Sequence, residues 1–120
     1  MKKKLILLLI IGFVLALLGN ILFAVNAWQR NIVVSVPDGD SLQLKDGRRI
    51  RLLGIDAPEK GRCMADEARA KLVELAQGRH VRLKNIATDS YGRMLGIVII
   101  EDWPLQRALL AAGLARNRSS

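Results

Sequence analysis

Residues 51–59 read Arg-Leu-Leu-Gly-Ile-Asp-Ala-Pro-Glu and place one arginine and two carboxylates where a strand runs into a turn stiffened by proline. The branched apolar residues at positions 50–55 are typical of a strand that is buried on both faces. Arg51 interrupts this run, and it needs an anionic partner because an arginine among apolar neighbours keeps its charge. The partner is either a carboxylate in a structural salt bridge or a bound phosphate.

The first 27 residues form a targeting segment, in which three lysines precede an almost unbroken apolar run of 14 residues that starts at Leu5. Small residues at Val25 and Ala27 fit a secretory signal peptide that is cut after Ala27. The same segment suffices for an uncleaved membrane anchor, because a bilayer needs about 20 apolar residues. In both cases the lysines stay in the cytoplasm. We therefore expect an exported protein that is secreted, periplasmic or anchored to the outer face of the cytoplasmic membrane.

The remainder of the chain, residues 28–120, is basic, with 16 basic and 11 acidic side chains and a net charge of +5. This balance favours anionic partners, either nucleic acid or an anionic membrane surface. Cys63 is the only cysteine, which excludes an intrachain disulfide and a cysteine-rich zinc site. Residues 28–31 are predicted to be a linker that leads into the folded domain.

The spacing of apolar residues predicts five short strands and two helices in the order β-β-β-α-β-β-α. The strands are predicted at residues 32–36, 41–45, 48–55, 80–84 and 94–100. An amphipathic helix is predicted over residues 66–77, with two acidic residues in its first turn. A second helix is predicted to start at Asp102 as its N-cap and to end at Gly113.

This order describes a mainly β (α+β) domain with the OB-fold pattern. The prediction is a closed or nearly closed five-stranded barrel, antiparallel in character, with an inserted helix and a short C-terminal helix. The barrel face of such folds commonly binds oligonucleotides, although fold alone does not give function. The domain is predicted over residues 32–116, followed by a frayed tail over residues 117–120.

Polar side chains stand out beside three of the predicted strands. They are Asp38, Asp40, Arg51, Asp56, Glu59, Tyr91 and Arg93. Each has a plain structural interpretation: Asp-Gly-Asp is usually a turn, and residues 89–93 can be a turn held by an ion pair. If the fifth strand closes the meander, these segments converge near one end of the barrel and bring carboxylates and arginines together.

Such a group suits the hydrolysis of a phosphodiester. The carboxylates of Asp40, Asp56 and Glu59 are hard oxygen ligands, which suit Ca²⁺ or Mg²⁺ and not zinc. Paired arginines grip phosphate oxygens and stabilise the charge of the transition state. A carboxylate beside the metal can orient or deprotonate the attacking water.

Four segments resemble successive motifs of the staphylococcal-nuclease-like (thermonuclease) family. They are Asp-Gly-Asp-Ser at 38–41, Arg-Leu-Leu-Gly-Ile-Asp-Ala-Pro-Glu at 51–59, Asp-Ser-Tyr-Gly-Arg at 89–93 and Gly-Leu-Ala at 113–115. The resemblance covers residues 32 to about 116. Any one of these motifs is weak alone, but four in order at compatible spacing are a specific signal.

The resemblance implies a role for each matching residue. Arg51 and Arg93 correspond to the two arginines that bind the phosphate and stabilise the transition state, and Glu59 corresponds to the general base. Tyr91 corresponds to a tyrosine that hydrogen-bonds the terminal phosphate of the substrate. The implied product is a 3′-phosphate with a 5′-hydroxyl leaving group.

The resemblance also implies calcium (Ca²⁺) as the cofactor. Asp40 and Asp56 correspond to its direct ligands, the backbone carbonyl of Ala57 is implied as a further ligand, and Glu59 lies beside the metal. The chain departs from the family in having Ser90 where a lysine is common, a shorter loop after Glu59, and few residues after the Gly-Leu-Ala motif, where relatives usually continue.

These observations predict a calcium-dependent nuclease that acts on DNA and/or RNA outside the cytoplasm, as a monomer with no protein partner. The alternative is a catalytically weak or inactive OB-fold module that is tethered to the membrane and binds nucleic acid. Arg51, Glu59 and Arg93 discriminate between the two, because a module that only binds has no need of all three.

Overall fold

An apolar helix, α1 (Lys2–Gln29), opens the chain in the computed structural model, which describes residues 1–118. The helix has a mean hydropathy of 2.9 over its most apolar window, and none of that window is buried against the rest of the protein. It is long and apolar enough to cross a membrane, a property that signal sequences share. Because α1 continues to Gln29, the first two residues of the predicted linker are helical.

The end of α1 contacts the following domain directly. The indole ring of Trp28 stacks on the imidazole of His80, with ring centroids 4.6 Å apart and planes 2° from parallel. Lys45 Nζ donates a hydrogen bond to Gln29 Oε1 at 3.0 Å, and Arg30 Nε lies 3.5 Å from Asp46 Oδ2. The helix is therefore attached to the domain by side-chain contacts as well as by the chain.

Each of the five predicted strands is present, and three two-residue strands accompany them. The eight strands are β1 (Val33–Asp38), β2 (Ser41–Leu44), β3 (Arg49–Leu52), β4 (Ile55–Asp56), β5 (Arg82–Thr88), β6 (Met94–Ile100), β7 (Trp103–Pro104) and β8 (Arg116–Asn117). The predicted strand over 48–55 is divided into β3 and β4 by a turn at residues 53–54, where Gly54 has a φ of +81°.

The barrel, which was predicted to be closed or nearly closed, is not closed. The sheet is open and has the order β1-β2-β3-β6-β5, with β7 beside β6. Its β3 and β6 strands are parallel, so the expectation of an antiparallel sheet throughout is also wrong. Strand β5 lies at one edge of this sheet, is exposed along most of its length and has an irregular register with β6 near Asn85, which has a φ of +52°.

The two sheet edges meet only near the start of β1, as far as residues 1–118 show. An isolated bridge pairs Ile32 with His80. Val33 N donates to the Arg79 carbonyl and Val81 N to the Asn31 carbonyl, each at 3.0 Å. This bridge lies at the end of the domain that receives α1.

Two helices cover the sheet, α2 (Ala65–Ala76) and α3 (Leu105–Ala111). Helix α2 confirms the prediction over 66–77, and its buried residues Ala68, Leu72 and Ala76 lie on the predicted apolar face. They pack with strand residues in one hydrophobic core, whose fully buried larger side chains include Leu42, Leu44, Ile50, Leu52, Val98 and Leu109. Burial of each such side chain is worth about 1.5–3 kcal/mol.

The second predicted helix begins later than the sequence indicates. Glu101 and Asp102 have φ values of +48° and +69°, as both central residues of a tight hairpin turn require. This turn folds Trp103 and Pro104 back along β6, so α3 starts at Leu105 and Asp102 is not its N-cap. Gly113 has a φ of +70° just beyond the helix, which agrees with the predicted end.

Residues 116–118 are also more ordered than predicted. In β8, Arg116 lies opposite Asp56 and Asn117 lies opposite Ile55. Arg118 N then donates to the Gly54 carbonyl at 2.9 Å. The predicted frayed tail is therefore wrong for Asn117 and Arg118, while the rest of that prediction, Ser119 and Ser120, lies outside the described residues.

Candidate active site

An open cavity of about 770 Å³ lies where the strands β3, β4 and β8 approach one another. Six of the seven residues to which the family resemblance assigns a role line it: Asp40, Arg51, Asp56, Ala57, Glu59 and Arg93. The structure therefore brings these residues to one place, although the sheet is not the barrel from which their convergence was predicted. Tyr91 does not line the cavity and is 84% exposed.

The turn after β1 is packed closely enough to fix the position of Asp40. A Cβ atom on Gly39 would lie 2.8 Å from Ala68 Cβ and 2.9 Å from Ala57 Cβ, closer than real Cβ atoms approach. Glycine is required there by close approach and not by a positive φ. Leu52 N also donates to the Asp40 carbonyl at 2.8 Å, which joins the turn to β3.

Arg51 is bonded to both aspartates that were predicted as calcium ligands. Its Nη2 atom lies 2.5 Å from Asp56 Oδ1 and 3.2 Å from Asp40 Oδ2, and its Nη1 donates to the Ile55 carbonyl at 3.3 Å. The Arg51 and Asp40 side chains are only 13% and 15% exposed. The salt bridge that the sequence allowed as one interpretation of Arg51 is therefore present.

Asp40 is the carboxyl group of this cluster whose pKa is raised above its usual value. Burial is the largest cause, and the hydrogen bond and negative charge of Asp38 add to it. The N–H of Ala57, which donates to Asp40 Oδ2 at 3.1 Å, and the charge of Arg51 act in the opposite direction. Asp40 is thus an incompletely compensated carboxylate that a cation would stabilise.

The oxygen atoms of the cavity are of the chemical type that binds a hard cation. Asp40 and Asp56 approach the same guanidinium nitrogen, so their oxygen atoms are near each other, and the backbone of Ala57 borders the same cavity. Carboxylate and carbonyl oxygens are the ligands that Ca²⁺ takes. Within residues 1–118, however, no three acidic, histidine or cysteine side chains are clustered closely enough to hold a metal ion. Glu59 is therefore not grouped with the two aspartates.

Glu59 is an exposed carboxylate on the wall of the cavity. It follows Pro58, and its backbone carbonyl accepts a hydrogen bond from Arg62 N at 2.9 Å, which shapes the turn. Its side chain makes no salt bridge and no hydrogen bond with any residue of the described part of the chain. The carboxylate is available to a water molecule or a cation in the cavity.

Arg93 is held by the turn at residues 89–93. The carboxylate of Asp89 accepts hydrogen bonds from Tyr91 N and Arg93 N, each at 2.9 Å, and from Arg93 Nε at 2.6 Å. Burial acts to raise the pKa of Asp89, but these bonds outweigh it and hold the pKa below its usual value. The guanidinium of Arg93 also lies 5.3 Å from the ring centroid of Tyr91. The turn with an ion pair that the sequence allowed is confirmed.

Three further arginines line the cavity and were not among the predicted site residues: Arg62, Arg116 and Arg118. The sequence indicated no role for the loop after Glu59, which contains Arg62, and it placed Arg116 at the last position of the domain and Arg118 in the frayed tail. The spacing of Arg116 and Arg118 could have indicated that both face the same site, since residues two apart on a strand share a face.

Comparison with known proteins agrees with the motifs. Residues 49–120 match the family described as "Staphylococcal nuclease homologue". "Protein ParB" of Escherichia coli is 40% identical over 88 residues, which cover 69% of this chain and 50% of that protein. "Micrococcal nuclease" of Shigella flexneri is 37% identical over 83 residues, which cover 65% of this chain and 48% of that protein.

An "Uncharacterized endonuclease" of Escherichia coli O157:H7 is 41% identical over 73 residues, which cover 58% of this chain and 48% of that protein. The chain thus spans about half the length of these curated relatives. The family match covers more than half of the chain and includes most of the cavity residues. The chain belongs to the staphylococcal nuclease homologue family.

Proposed function

We propose that the protein is a calcium-dependent nuclease that hydrolyses phosphodiester bonds of DNA and/or RNA. The observation that carries the proposal is that Asp40, Arg51, Asp56, Glu59 and Arg93 border a single open cavity. These side chains supply hard metal ligands, a candidate base and two planar cations, which together meet the needs of phosphodiester hydrolysis. Membership of a nuclease family supports the same conclusion.

The two arginines are proposed to bind the scissile phosphate. A guanidinium offers a planar fork of donors that matches two phosphate oxygens, and it stabilises the additional negative charge of a five-coordinate transition state. Arg93 reaches the cavity from the turn that Asp89 fixes, and Arg51 reaches it from β3. Arg51 must share its donors between the substrate and the two aspartates to which it is bonded.

Glu59 is proposed to take a proton from the attacking water. Its carboxylate has no partner within residues 1–118, so it has an open oxygen to accept that proton. Asp40, Asp56 and the Ala57 carbonyl would hold Ca²⁺ on the cavity that Glu59 also borders, and the ion when bound would polarise the phosphoryl oxygens and offset their charge. The water oxygen bonds to phosphorus as the bond to the 5′ oxygen breaks, and the 5′ oxygen takes a proton from solvent water, which leaves a 3′-phosphate and a 5′-hydroxyl.

The test is digestion of single-stranded DNA and of RNA by the full chain in detergent, with Ca²⁺ or with EDTA. We expect cutting with Ca²⁺, none with EDTA, and a rate that Glu59→Gln lowers by at least about 100-fold, the lower range for loss of a general base. Because Glu59 is exposed, its variant should unfold at the wild-type temperature. A folded protein that cuts neither substrate with Ca²⁺ would contradict the proposal.

A second candidate function is nucleic-acid binding without cleavage. It is favoured by the bonds from Arg51 to Asp40 and Asp56. Through these bonds the group proposed to bind phosphate pairs with the groups proposed to bind the metal. In that case nucleic acid binds with strong salt dependence but is not cut. The digestion above, combined with a binding measurement, separates the two functions.

We also propose that the protein is exported and that α1 is retained as an anchor. The contacts of Trp28 with His80 and of Gln29 with Lys45 fasten the end of α1 to the domain, with no intervening linker. Mass spectrometry of the protein from the membrane fraction tests this, and we expect the intact chain. A mature chain that begins at Trp28 would show that residues 1–27 are a cleaved signal peptide.

A further inference from the structure

Three arginines of the cavity have no acidic partner within residues 1–118. Arg62, Arg116 and Arg118 line the cavity, and their guanidinium groups make neither a salt bridge nor a hydrogen bond in the described part of the chain. In contrast, the two arginines that we assign to the reaction are each bonded to aspartate. The positive charge available to an added anion therefore lies mainly outside the reacting centre.

Strand β8 places two of these arginines side by side. Arg116 lies directly opposite Asp56 in the ladder between β4 and β8, so the Cβ atoms are about 5 Å apart on one face. Arg118 is two residues further and shares that face, because side chains alternate along a strand. Its N–H donates to the Gly54 carbonyl at 2.9 Å, which extends the pairing past β8. The side chains of Arg116 and Arg118 therefore begin beside Asp56, at the edge of the candidate metal site.

The charge of the cavity wall also favours an extended anion. Five arginines and three carboxylates line the cavity, a net charge of +2 before any cation binds. Two of the carboxylates are already bonded to Arg51. A single phosphate needs only one or two arginines, whereas a strand of nucleic acid presents a series of phosphates that a basic groove can follow.

We infer that Arg116 and Arg118, with Arg62 on the same cavity, form a second phosphate-binding site for a nucleotide that flanks the scissile bond. This site rests on the proposed nuclease function and adds to it a contact with the phosphate next to the one that reacts. Arg116 and Arg118 bind the neighbouring phosphate, while Arg51 and Arg93 bind the reacting phosphate.

The experiment compares the wild type with the double variant Arg116→Gln/Arg118→Gln on two substrates. One is a single-stranded oligonucleotide, and the other is bis(p-nitrophenyl) phosphate, which has one phosphate and cannot reach a second site. We expect the oligonucleotide KM to rise by roughly 10- to 100-fold from the loss of two phosphate contacts. The value of kcat/KM for the small diester should stay within about twofold, because its contacts are unchanged.

Binding of the same oligonucleotide in EDTA, measured by fluorescence anisotropy across a salt series, tests the site without cleavage. Each phosphate contact on a single strand contributes about 0.7 to the salt slope, so the double variant should lose about 1.4. The matched control is Lys84→Gln/Arg107→Gln, which removes two positive charges from residues that do not line the cavity. Its salt slope should fall by less than that of the double variant. The variant Arg116→Lys/Arg118→Lys keeps both positive charges, so its salt slope should equal that of the wild type.

The outcomes separate the site from the proposed function. If the wild type cuts nothing but the slope falls as expected, the phosphate site stands and the nuclease function does not. The inference is overturned if the slope matches that of the control variant. It is also overturned if both substrates lose activity equally, because β8 then acts only by supporting Asp56.

Discussion

Arg51 donates a hydrogen bond to Asp56 at 2.5 Å, so a proposed phosphate-binding residue and a proposed calcium ligand are bonded to each other. Asp40 accepts from the same nitrogen at 3.2 Å. The guanidinium therefore occupies the position of a cation between two carboxylates. If Ca²⁺ binds as we propose, it competes with Arg51 for these carboxylate oxygens, so its binding would free Arg51 to bind phosphate.

The first prediction concerns this linkage. Arg51→Gln should lower the nuclease rate by at least about 100-fold, in the range found for loss of one transition-state donor. It should also destabilise the calcium-depleted protein by about 1.5–3 kcal/mol, because two carboxylates lose a charged partner. Ca²⁺ affinity should rise by about tenfold, since the competing cation is gone. Calorimetric titration and thermal unfolding with and without Ca²⁺ measure these effects.

The control for this prediction is Arg79→Gln, which removes an exposed arginine whose partner is Glu101, away from the cavity. Its Ca²⁺ affinity should match that of the wild type. If Arg51→Gln binds Ca²⁺ more weakly than this control, Arg51 supports the metal site and does not compete with it.

The second prediction concerns pH. The pKa of Asp40 is raised by burial and by Asp38, so Asp40 retains its proton at pH values where an ordinary aspartate has lost it. Ionised Asp40 then disfavours the folded state. This penalty is present above its folded pKa and disappears as the pH falls towards the unfolded value of 3.8. Because Ca²⁺ binds the ionised form, its affinity should fall as the pH falls through the raised pKa.

Asp38→Asn should move that transition to lower pH, because it removes a neighbouring negative charge that raises the pKa of Asp40. The measurement is the pH dependence of Ca²⁺ affinity. Glu74→Gln is the matched control, since Glu74 is exposed on α2 and pairs with Lys71. Equal midpoints for the two variants would show that Asp38 does not set the ionisation of Asp40.

The third prediction concerns the close contact at Gly39. Gly39→Ala should destabilise the protein by about 1–3 kcal/mol, because the added methyl group would meet Ala57 and Ala68 at less than 3.0 Å. Gly96→Ala is the control: it is a buried strand glycine whose added Cβ would have its nearest neighbour at 3.6 Å, an ordinary contact. Urea unfolding should show a clear loss for Gly39→Ala alone. Similar stabilities for the two variants would contradict the packing argument.

Some of this fold can be predicted from sequence because it depends on local periodicity. Helix α2 repeats its apolar residues at helical spacing and ends before Gly78, and its observed bounds differ from the prediction by one residue at each end. The start of α3 cannot be predicted in this way. Asp102 and Pro104 satisfy the usual rules for a helix start, but positive φ at Glu101 and Asp102 forms a hairpin turn instead.

The open sheet depends on contacts between distant segments. The parallel pairing of β3 with β6 and the order of the strands in the sheet leave no pattern within any one strand. The location of the site was predictable because its motifs lie at strand ends. The bonds from Arg51 to both aspartates and the folding of β8 onto β4 were not, because they depend on which segments meet in three dimensions.

The last prediction concerns Asp89, which fixes Arg93 through three hydrogen bonds. Asp89→Asn removes the charge that holds Arg93 Nε at 2.6 Å, so the guanidinium should lose its fixed position and the rate should fall by about tenfold. Arg93→Gln should cost roughly 100-fold or more, as loss of a transition-state donor does. If Asp89 acts by positioning Arg93, adding Asp89→Asn to Arg93→Gln should have almost no further effect.

The pH dependence of this ion pair is a separate check. The pKa of Asp89 is held below its ordinary value, so the contribution of the ion pair is complete above pH 3.8 and is lost only as the pH falls through the lower folded pKa. The rate ratio of wild type to Asp89→Asn should therefore be constant from neutral pH down to mildly acidic pH. A ratio that changes over that interval, or effects of the two substitutions that simply add, would show that Asp89 acts on the reaction by a route other than Arg93.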